Sequence, residues 1–458
     1  MSQHKSKRLQ PTALLLLGVF SNLFANSVFA NLSGSVSATS EYHDNIALHP
    51  SDEEHDIEHI LALGAAFNER YSRAEVAADY LFEESQYQQD TFDDRFIVEG
   101  RGSLYLSLYP ERLKWSLENT RENIQISSNL PDVPTNRTER NILATGPTLT
   151  YPVSSVDSLS LDLRYIDTKN KDFSFNDSER YVGGLSWKHL LSATQNLELT
   201  ANQSDVQYPL EQFDFIDSSV RLSYFAAWRQ SQTTLWTGLS KIDPEVGESN
   251  TENEYGLSWR YNRTSVESFT LSFSREFTDS SIGSSLSDSG SGLDLTTPVP
   301  VGDISLGTTP IGTTEDRDAG ISDVYNETRF ELGYNRQLAE GYQLVLSLTA
   351  RKLDYAETFS GPGINQGADQ DVIGANLQIS KTISSVSSVS FTTAREIADY
   401  TEDDRKDKVW QSELSYQYQL LPEFTIGTAV FYETQDSDLS FLEYDDFGVR
   451  LTLDYLIN

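Results

Sequence analysis

Polarity along this chain alternates with a period of two, in segment after segment. In Arg95–Tyr109 one face carries Phe96, Val98, Gly100, Gly102, Leu104, Leu106 and Leu108. The other carries Arg95, Ile97, Glu99, Arg101, Ser103, Tyr105 and Ser107. In 158–165, Leu159, Leu161, Leu163 and Tyr165 oppose Ser160, Asp162 and Arg164. The same holds for Val220, Leu222, Tyr224, Ala226 and Trp228 against Arg221, and for Tyr255, Leu257, Trp259 and Tyr261 against Arg260. Phe330, Leu332 and Tyr334 oppose Arg329 and Glu331, and Tyr342, Leu344, Leu346 and Leu348 oppose Gln343, Ser347, Thr349 and Arg351. Side chains of a strand point alternately to its two faces, whereas a helix repeats at spacings of three and four. No run of about 18 apolar residues follows residue 30, so a membrane span here must be built of strands.

Connections alternate as well. Short ones follow every second strand, at Asn68–Ser72, Pro110–Arg112, Pro152–Asp157, Arg229–Ser231, Asn262–Ser265, Gln337–Gly341 and Leu421–Glu423. Longer polar ones lie between them, at His43–Asp56, Ile124–Arg137, Thr168–Ser178 and Glu357–Asp369. Aromatics gather beside the short turns: Phe67, Tyr109, Trp115, Tyr151, Trp187, Trp228, Trp259, Phe269, Tyr334, Tyr342, Tyr418 and Phe424. Amphipathic rings favour the bilayer interface. Short turns at one rim, long loops at the other and an aromatic girdle are the marks of a transmembrane barrel. A soluble sandwich or propeller shares the alternation but not the two unequal rims. The fold class expected is all-β, an antiparallel up-and-down outer-membrane barrel of about 20 strands, or about 16 to 18 where weak segments such as Asn196–Val206 merge with loops.

Residues 1–30 read as a secretory signal, with a basic start at His4, Lys5, Lys7 and Arg8, an apolar core from Ala13 to Phe20, and small residues around Ala30. The barrel is expected to occupy 31–458. Loss of Lys5, Lys7 and Arg8 takes the formal charge from −35 to −38. That excess opposes nucleic-acid binding and polybasic membrane docking. Disorder, the other reading of an acidic chain, is opposed by 23 Tyr, 22 Phe and 6 Trp. The absence of Cys excludes disulfides, thiol catalysis and a lipoprotein anchor.

His43, His49, His55 and His59 lie among Asp44, Asp52, Glu53, Glu54, Asp56 and Glu58. Imidazole and carboxylate together suit a divalent metal, but the spacings match no rigid motif, so a solvated acidic loop is expected and no metal is assigned. No HExxH and no GxSxG occurs. Ser289-Gly290-Ser291-Gly292 is a flexible tract, and Gly302-Asp303-Ile304-Ser305-Leu306 carries Ile304 where a hydrolase block would carry serine. No acid, base and nucleophile assemble, so no catalytic residue, enzyme activity or cofactor is expected. Arg101, Arg164, Arg221, Arg260, Arg329, Arg351 and Arg450 share the polar phase of their strands, with Glu99, Asp162, Glu331 and Asp454 nearby. A water-filled lumen tolerates such charges where lipid does not. They are the pore-lining candidates, as braces of the wall, as cations guiding an anionic or hydroxyl-rich solute, or as both. The long polar stretch 279–322 reads as an outer loop, either free at the surface or folded inward to narrow the pore.

The opening pattern Gly34-Ser-Val-Ser-Ala-Thr-Ser-Glu-Tyr-His-Asp-Asn-Ile-Ala-Leu48 resembles a family, the β-barrel porins of the "beta-barrel porin 2" group found with exopolysaccharide, capsule and exosortase (PEP-CTERM) systems. Members begin with a strand ending in Tyr-x-Asp-Asn and an aliphatic residue, matched here by Tyr42, Asp44, Asn45 and Ile46. The Tyr-rich strands and Asp/Asn-rich loops look similar along the whole mature chain. Many outer-membrane barrels end on an aromatic; here Tyr455 is near the end and the last residue is Asn458. Locally, Tyr42 reads as an interface residue and Asp44-Asn45 as a turn held by side-chain bonds to the backbone. The resemblance implies a part in surface-polysaccharide production or export. The alternatives are a general diffusion porin and a plugged structural or adhesive barrel. The partners expected are outer-membrane lipid and lipopolysaccharide, the barrel assembly machinery and, through the resemblance, periplasmic polysaccharide-export proteins, with no nucleic acid.

Overall fold

The computed structural model describes residues 32–127, 130–209, 214–279, 324–338, 341–355, 369–401 and 405–457. Twenty strands occur among them. The first five are Leu32–His43 (β1), Asp56–Arg70 (β2), Ala74–Tyr87 (β3), Arg95–Tyr109 (β4) and Leu113–Gln125 (β5). Next come Arg137–Pro152 (β6), Asp157–Asn170 (β7), Ser178–Ser192 (β8), Gln195–Gln207 (β9) and Phe215–Ala227 (β10). Then follow Ser231–Pro244 (β11), Asn250–Thr264 (β12), Glu267–Asp279 (β13), Val324–Gln337 (β14) and Tyr342–Tyr355 (β15). The last are Gln370–Ser384 (β16), Ser387–Tyr400 (β17), Arg405–Leu421 (β18), Phe424–Ser437 (β19) and Tyr444–Ile457 (β20).

Each strand pairs antiparallel with the next, and β20 returns to pair with β1 from Gly34↔Ile457 to His43↔Gly448. Closure satisfies every strand edge, the condition for a sheet to sit in hydrocarbon. Connections at one rim are tight, at 71–73, 110–112, 153–156, 193–194, 228–230, 265–266, 385–386 and 422–423. Those at the other rim include 44–55, 88–94, 126–136 and 171–177. The turn expected at Asn68–Ser72 shifts outward because β2 and β3 stay paired to Arg70↔Glu75. Asn196–Val206 is a full strand, β9, rather than part of a loop. Its outward face reads Leu197, Leu199, Ala201, Gln203, Asp205, so the apolar half of the pattern is short. The signal at 1–30, nearly all of the 279–322 connection with both Gly/Ser tracts, 357–368 and Asn458 lie outside the described residues.

Strands run from 12 residues in β1 to 17 in β18. About 9 to 11 tilted residues cross a bilayer, so each strand overshoots it. The overshoot is at the loop rim. On β7 the outward Leu159, Leu161 and Leu163 give way to Asp167 and Lys169, and on β11 Leu235 and Leu239 give way to Lys241 and Asp243. Cations of this upper tier pair on the outer wall: Lys169 with Asp167 (3.2 Å), Lys241 with Asp243 (3.1 Å), Lys352 with Asp354. Below it lies the apolar belt, and at the turn rim the exposed rings of Tyr109, Trp115, Tyr151, Trp187, Trp228 and Tyr418. Trp259 stacks on Tyr261 (5.7 Å) and Phe269 packs on Tyr334 (4.8 Å) in the same girdle. The ring, the apolar belt and the girdle make this an outer-membrane β-barrel.

On β4, Gly100 has φ +134°, and a Cβ there would lie 2.1 Å from the Asp79 carbonyl oxygen. Only glycine fits that approach of β4 to β3. The two faces also yield a paired test. Leu161→Arg, on the outward face, is expected to cost about 2 kcal/mol of folding free energy in phospholipid vesicles, while Ser160→Arg, one residue earlier and inward, costs less than about 0.5 kcal/mol. Equal costs in denaturant titrations would mean that the belt is not lipid-facing.

Candidate functional site

The site is the inner wall. Odd and even phases of successive strands bring the seven arginines picked from the sequence to the interior face, and pairing decides what each can do. Arg164 on β7 has a side chain only 1% exposed, with Glu118 of β5 at 3.5 Å and Asp162 at 3.7 Å. Among the described residues its guanidinium nitrogens make no hydrogen bond, so ion pairing holds the charge. Tyr105 donates to Glu118 (2.8 Å) and Thr148 to Asp162 (3.1 Å). Arg221 on β10 reaches Glu254 of β12 (3.1 Å) across β11, has Glu276 of β13 at 3.9 Å, and lies 3.9 Å over the Trp236 ring. Arg329 donates to Glu331 (2.6 Å), which also accepts from Ser272 (3.1 Å). Arg351 is 3.8 Å from Glu396. Arg450 on β20 bridges Glu41 of β1 and Glu413 of β18, the latter at 3.0 Å. Arg101 sits opposite Asp79 and Thr120 in the register, and Glu99 accepts from the Asn123 backbone N–H (3.2 Å). Arg260, opposite Gln232 and Thr270, is exposed on the inner wall.

The arginines are therefore not a free cationic row. Arg221 and Arg450 each face two carboxylates, so those clusters carry net negative charge. Sequence reading missed most of the acidic partners, namely Glu41, Glu118, Glu254, Glu276, Glu396 and Glu413, because they sit on other strands. It also missed Arg140–Glu122 (2.7 Å) and Arg405–Asp407. The second of these was legible, since residues two apart share a face of a strand.

A second feature is apolar. Toward the loop rim, inward side chains form lateral clusters: Ile142, Ala144 and Ile166 with Val182, then Val206, Phe215 and Ile242, then Val372, Ala398 and Tyr400. The alternation implies a polar interior, with apolar residues such as Ile97 interspersed. These clusters add apolar patches to it, because neighbouring inward side chains near the rim pack closely enough to exclude solvent.

The Tyr42–Ile46 motif closes the ring. Asn45 is 1% exposed. Its backbone N–H donates to Asp446 Oδ1 (3.1 Å), and Nδ2 donates to the carbonyls of His49 (2.8 Å) and Asp445 (3.0 Å). Its Oδ1 accepts from His49 N–H (3.0 Å). Asp44 exchanges bonds with Phe447: Asp44 N–H to the Phe447 carbonyl (3.1 Å) and Phe447 N–H to Asp44 Oδ1 (2.6 Å). Ile46 is buried, with its N–H on the Glu54 carbonyl (2.9 Å). Tyr42 faces outward, 37% exposed. The motif thus fastens the first loop to the last strand as well as forming a turn.

The four histidines separate. His43 lies inside, between Glu41 (3.2 Å) and Asp446 (2.7 Å) and edge-on to Phe431. His59 faces outward and bonds Ser40 (2.8 Å). His49 serves the Asn45 turn through its backbone, and His55 is exposed. No group of three or more His, Asp or Glu placed to hold a metal occurs among the described residues.

No family model matches the chain, and no curated protein matches it. Solved structures do. The chain is similar to the FrpB iron transporter of Neisseria meningitidis, at 9% identity and TM-score 0.49, over 98% of this chain and 84% of that one. It is similar to the ferric enterobactin receptor PfeA of Pseudomonas aeruginosa, at 10% identity and TM-score 0.46, over 93% and 81%. It is similar to OccK2 (OpdF) of the same organism, solved with glucuronate, at 9% identity and TM-score 0.39, over 93% and 97%.

Proposed function

We propose that this outer-membrane barrel is a passive channel for a hydrophilic solute, serving exopolysaccharide or capsule production. The observation that carries the channel reading is the charged inner wall, with exposed inward groups such as Arg260 beside locally paired ones. Ion-paired, hydrogen-bonding walls suit a hydroxyl-rich solute, which needs donors and acceptors but no counter-charge. The polysaccharide link is supported by the Tyr42, Asp44, Asn45 and Ile46 resemblance. A periplasmic export protein would then meet the tight-turn rim, and the barrel assembly machinery would insert the chain. Transport needs no cofactor and no covalent step. A general diffusion porin is the second reading, favoured by the fact that Arg164, Arg221, Arg329 and Arg450 are all engaged by carboxylates of the wall itself.

The test is single-channel conductance of the refolded mature protein in a planar bilayer. Stable steps with a cation preference are expected, because the Arg221 and Arg450 clusters each hold one carboxylate in excess. Glu254→Gln with Glu276→Gln should shift the reversal potential in a salt gradient toward zero. Insertion without conductance would sink the channel reading and leave the plugged structural barrel. Conductance unaffected by oligosaccharides of the cell's own surface polymer would favour the diffusion porin.

A further inference from the structure

We propose that the outer wall of β14–β19 holds one phosphorylated, multiply acylated glycolipid of the outer leaflet, that is, the lipid A part of lipopolysaccharide. A groove of about 810 Å³ runs across these strands. Its floor is apolar and includes Leu332, Leu346 and Leu377, and its loop-rim end is lined by Arg395, Lys408 and Trp410. All of these but the basic pair belong to a surface suited to acyl chains.

Arg395 departs from the outer wall's charge pattern, as does Arg121 on β5, whose guanidinium is held by Asn141 Oδ1 (3.3 Å). Arg395 falls in the outward phase of β17, directly opposite Ala375 and Trp410, where the neighbouring outward residues are Phe391, Thr393 and Ile397. It is exposed, and no ion pair to it occurs among the described residues. The tier's lysines have carboxylate partners: Lys408 with Asp436 (2.7 Å), Lys406 with Asp399 (3.4 Å). The charged lining of the groove is therefore two cations, Arg395 and Lys408, and one carboxylate, Asp436. An arginine on a lipid-facing wall is tolerated at headgroup depth or against an anion. Trp410 marks that depth. Its indole N–H donates to Thr393 (2.9 Å), and it packs edge-on against Tyr432 (6.2 Å). A guanidinium beside a fixed indole, above a leucine floor, matches a phosphate above acyl chains, and guanidinium binds phosphate through two parallel bonds.

The experiment is native mass spectrometry of the detergent-purified full barrel with diphosphorylated lipid A, dephosphorylated lipid A or phosphatidylethanolamine added. The wild type should retain one diphosphorylated lipid A at least about tenfold better than the dephosphorylated form, the ratio expected for one charge-assisted hydrogen bond lost. Arg395→Gln with Lys408→Gln should remove that preference, and Arg395→Lys should keep most of it. Leu377→Trp, which fills the floor without changing charge, should reduce retention of both forms. Heat-modifiable gel mobility checks that each variant is folded, and the wild-type comparison stands without any variant. Equal retention of the two lipid A forms by the wild type would overturn the proposal. So would unchanged preference in the folded double variant. Two chains per particle without lipid, split by Leu377→Trp, would make the groove a contact between copies instead.

Discussion

Arg450→Met is expected to lower the stability of the folded barrel by about 3 kcal/mol, the low end for breaking a buried ion pair. Arg450 lies on β20 and joins Glu41 on β1, across the closing seam, to Glu413 on β18, on the far side of β19. One guanidinium thus spans four strands. Nη2 donates to Glu41 Oε1 at 3.1 Å and Nη1 to Glu413 Oε2 at 3.0 Å, with the group 5.3 Å over the Phe431 ring. The side chains are 19%, 11% and 11% exposed for Arg450, Glu41 and Glu413, so water cannot replace the lost partner fully. Methionine would leave two carboxylates facing each other, with His43 near Glu41. Arg450→Lys should recover only part, because one ammonium nitrogen would have to reach both carboxylates, which Arg450 meets through separate nitrogens. Adding Glu41→Gln and Glu413→Gln to Arg450→Met should restore more than half the loss, since the cost is mainly uncompensated charge. Urea titration of folding into phospholipid vesicles, read by the mobility of unheated samples, gives these values. A change below about 0.5 kcal/mol for Arg450→Met would show that the cluster is solvated and does not brace the seam.

The sequence carried the strands because the bilayer writes on them. Leu161 and Asp162 are adjacent and belong to different solvents, and that contrast is visible without coordinates. β9 was faint because only Leu197, Leu199 and Ala201 of its outward face lie in the belt, and Gln203 and Asp205 stand above it. The partners of the arginines were not visible. Arg221 meets Glu254 and Trp236 only because the register sets Arg221 against Gly238, and Gly238 against Glu254. Arg450 and Glu41 are 409 positions apart and meet only when the ring closes. The inward apolar clusters were hidden for a different reason. In Ile142-Leu143-Ala144 both phases are apolar, so periodicity loses its contrast where the inner wall packs on itself. Arg395 was legible as a break in the outward set of β17, but the groove beside it depends on six strands at once.

Asn45→Ala is expected to cost about 3 kcal/mol, and the near-isosteric Asn45→Asp at least as much. Alanine keeps the backbone bond to Asp446 and loses the three side-chain bonds, leaving the His49 N–H and the His49 and Asp445 carbonyls short of a partner at a position 1% exposed. Each such loss costs about 1 to 3 kcal/mol, and the low end applies to groups at a loop that can move toward water. Aspartate keeps the acceptor for His49 N–H but turns the donor into a second acceptor. It would then face two carbonyl oxygens, with the Asp446 carboxylate already bonded to the Asn45 N–H. Shape is conserved while hydrogen-bond polarity is reversed, so volume predicts a mild effect and chemistry a severe one. The consequence reaches beyond the loop, because the contacts tie residues about 400 positions apart at the seam where the ring closes. An opened β1–β20 seam exposes two unpaired edges to hydrocarbon, which membranes do not tolerate. Both variants should therefore lose the heat-modifiable folded band at lower urea than the wild type, and a protease should cut 44–55 faster. If Asn45→Asp holds wild-type stability, Asn45 acts by shape alone and the motif is a turn rather than a clasp.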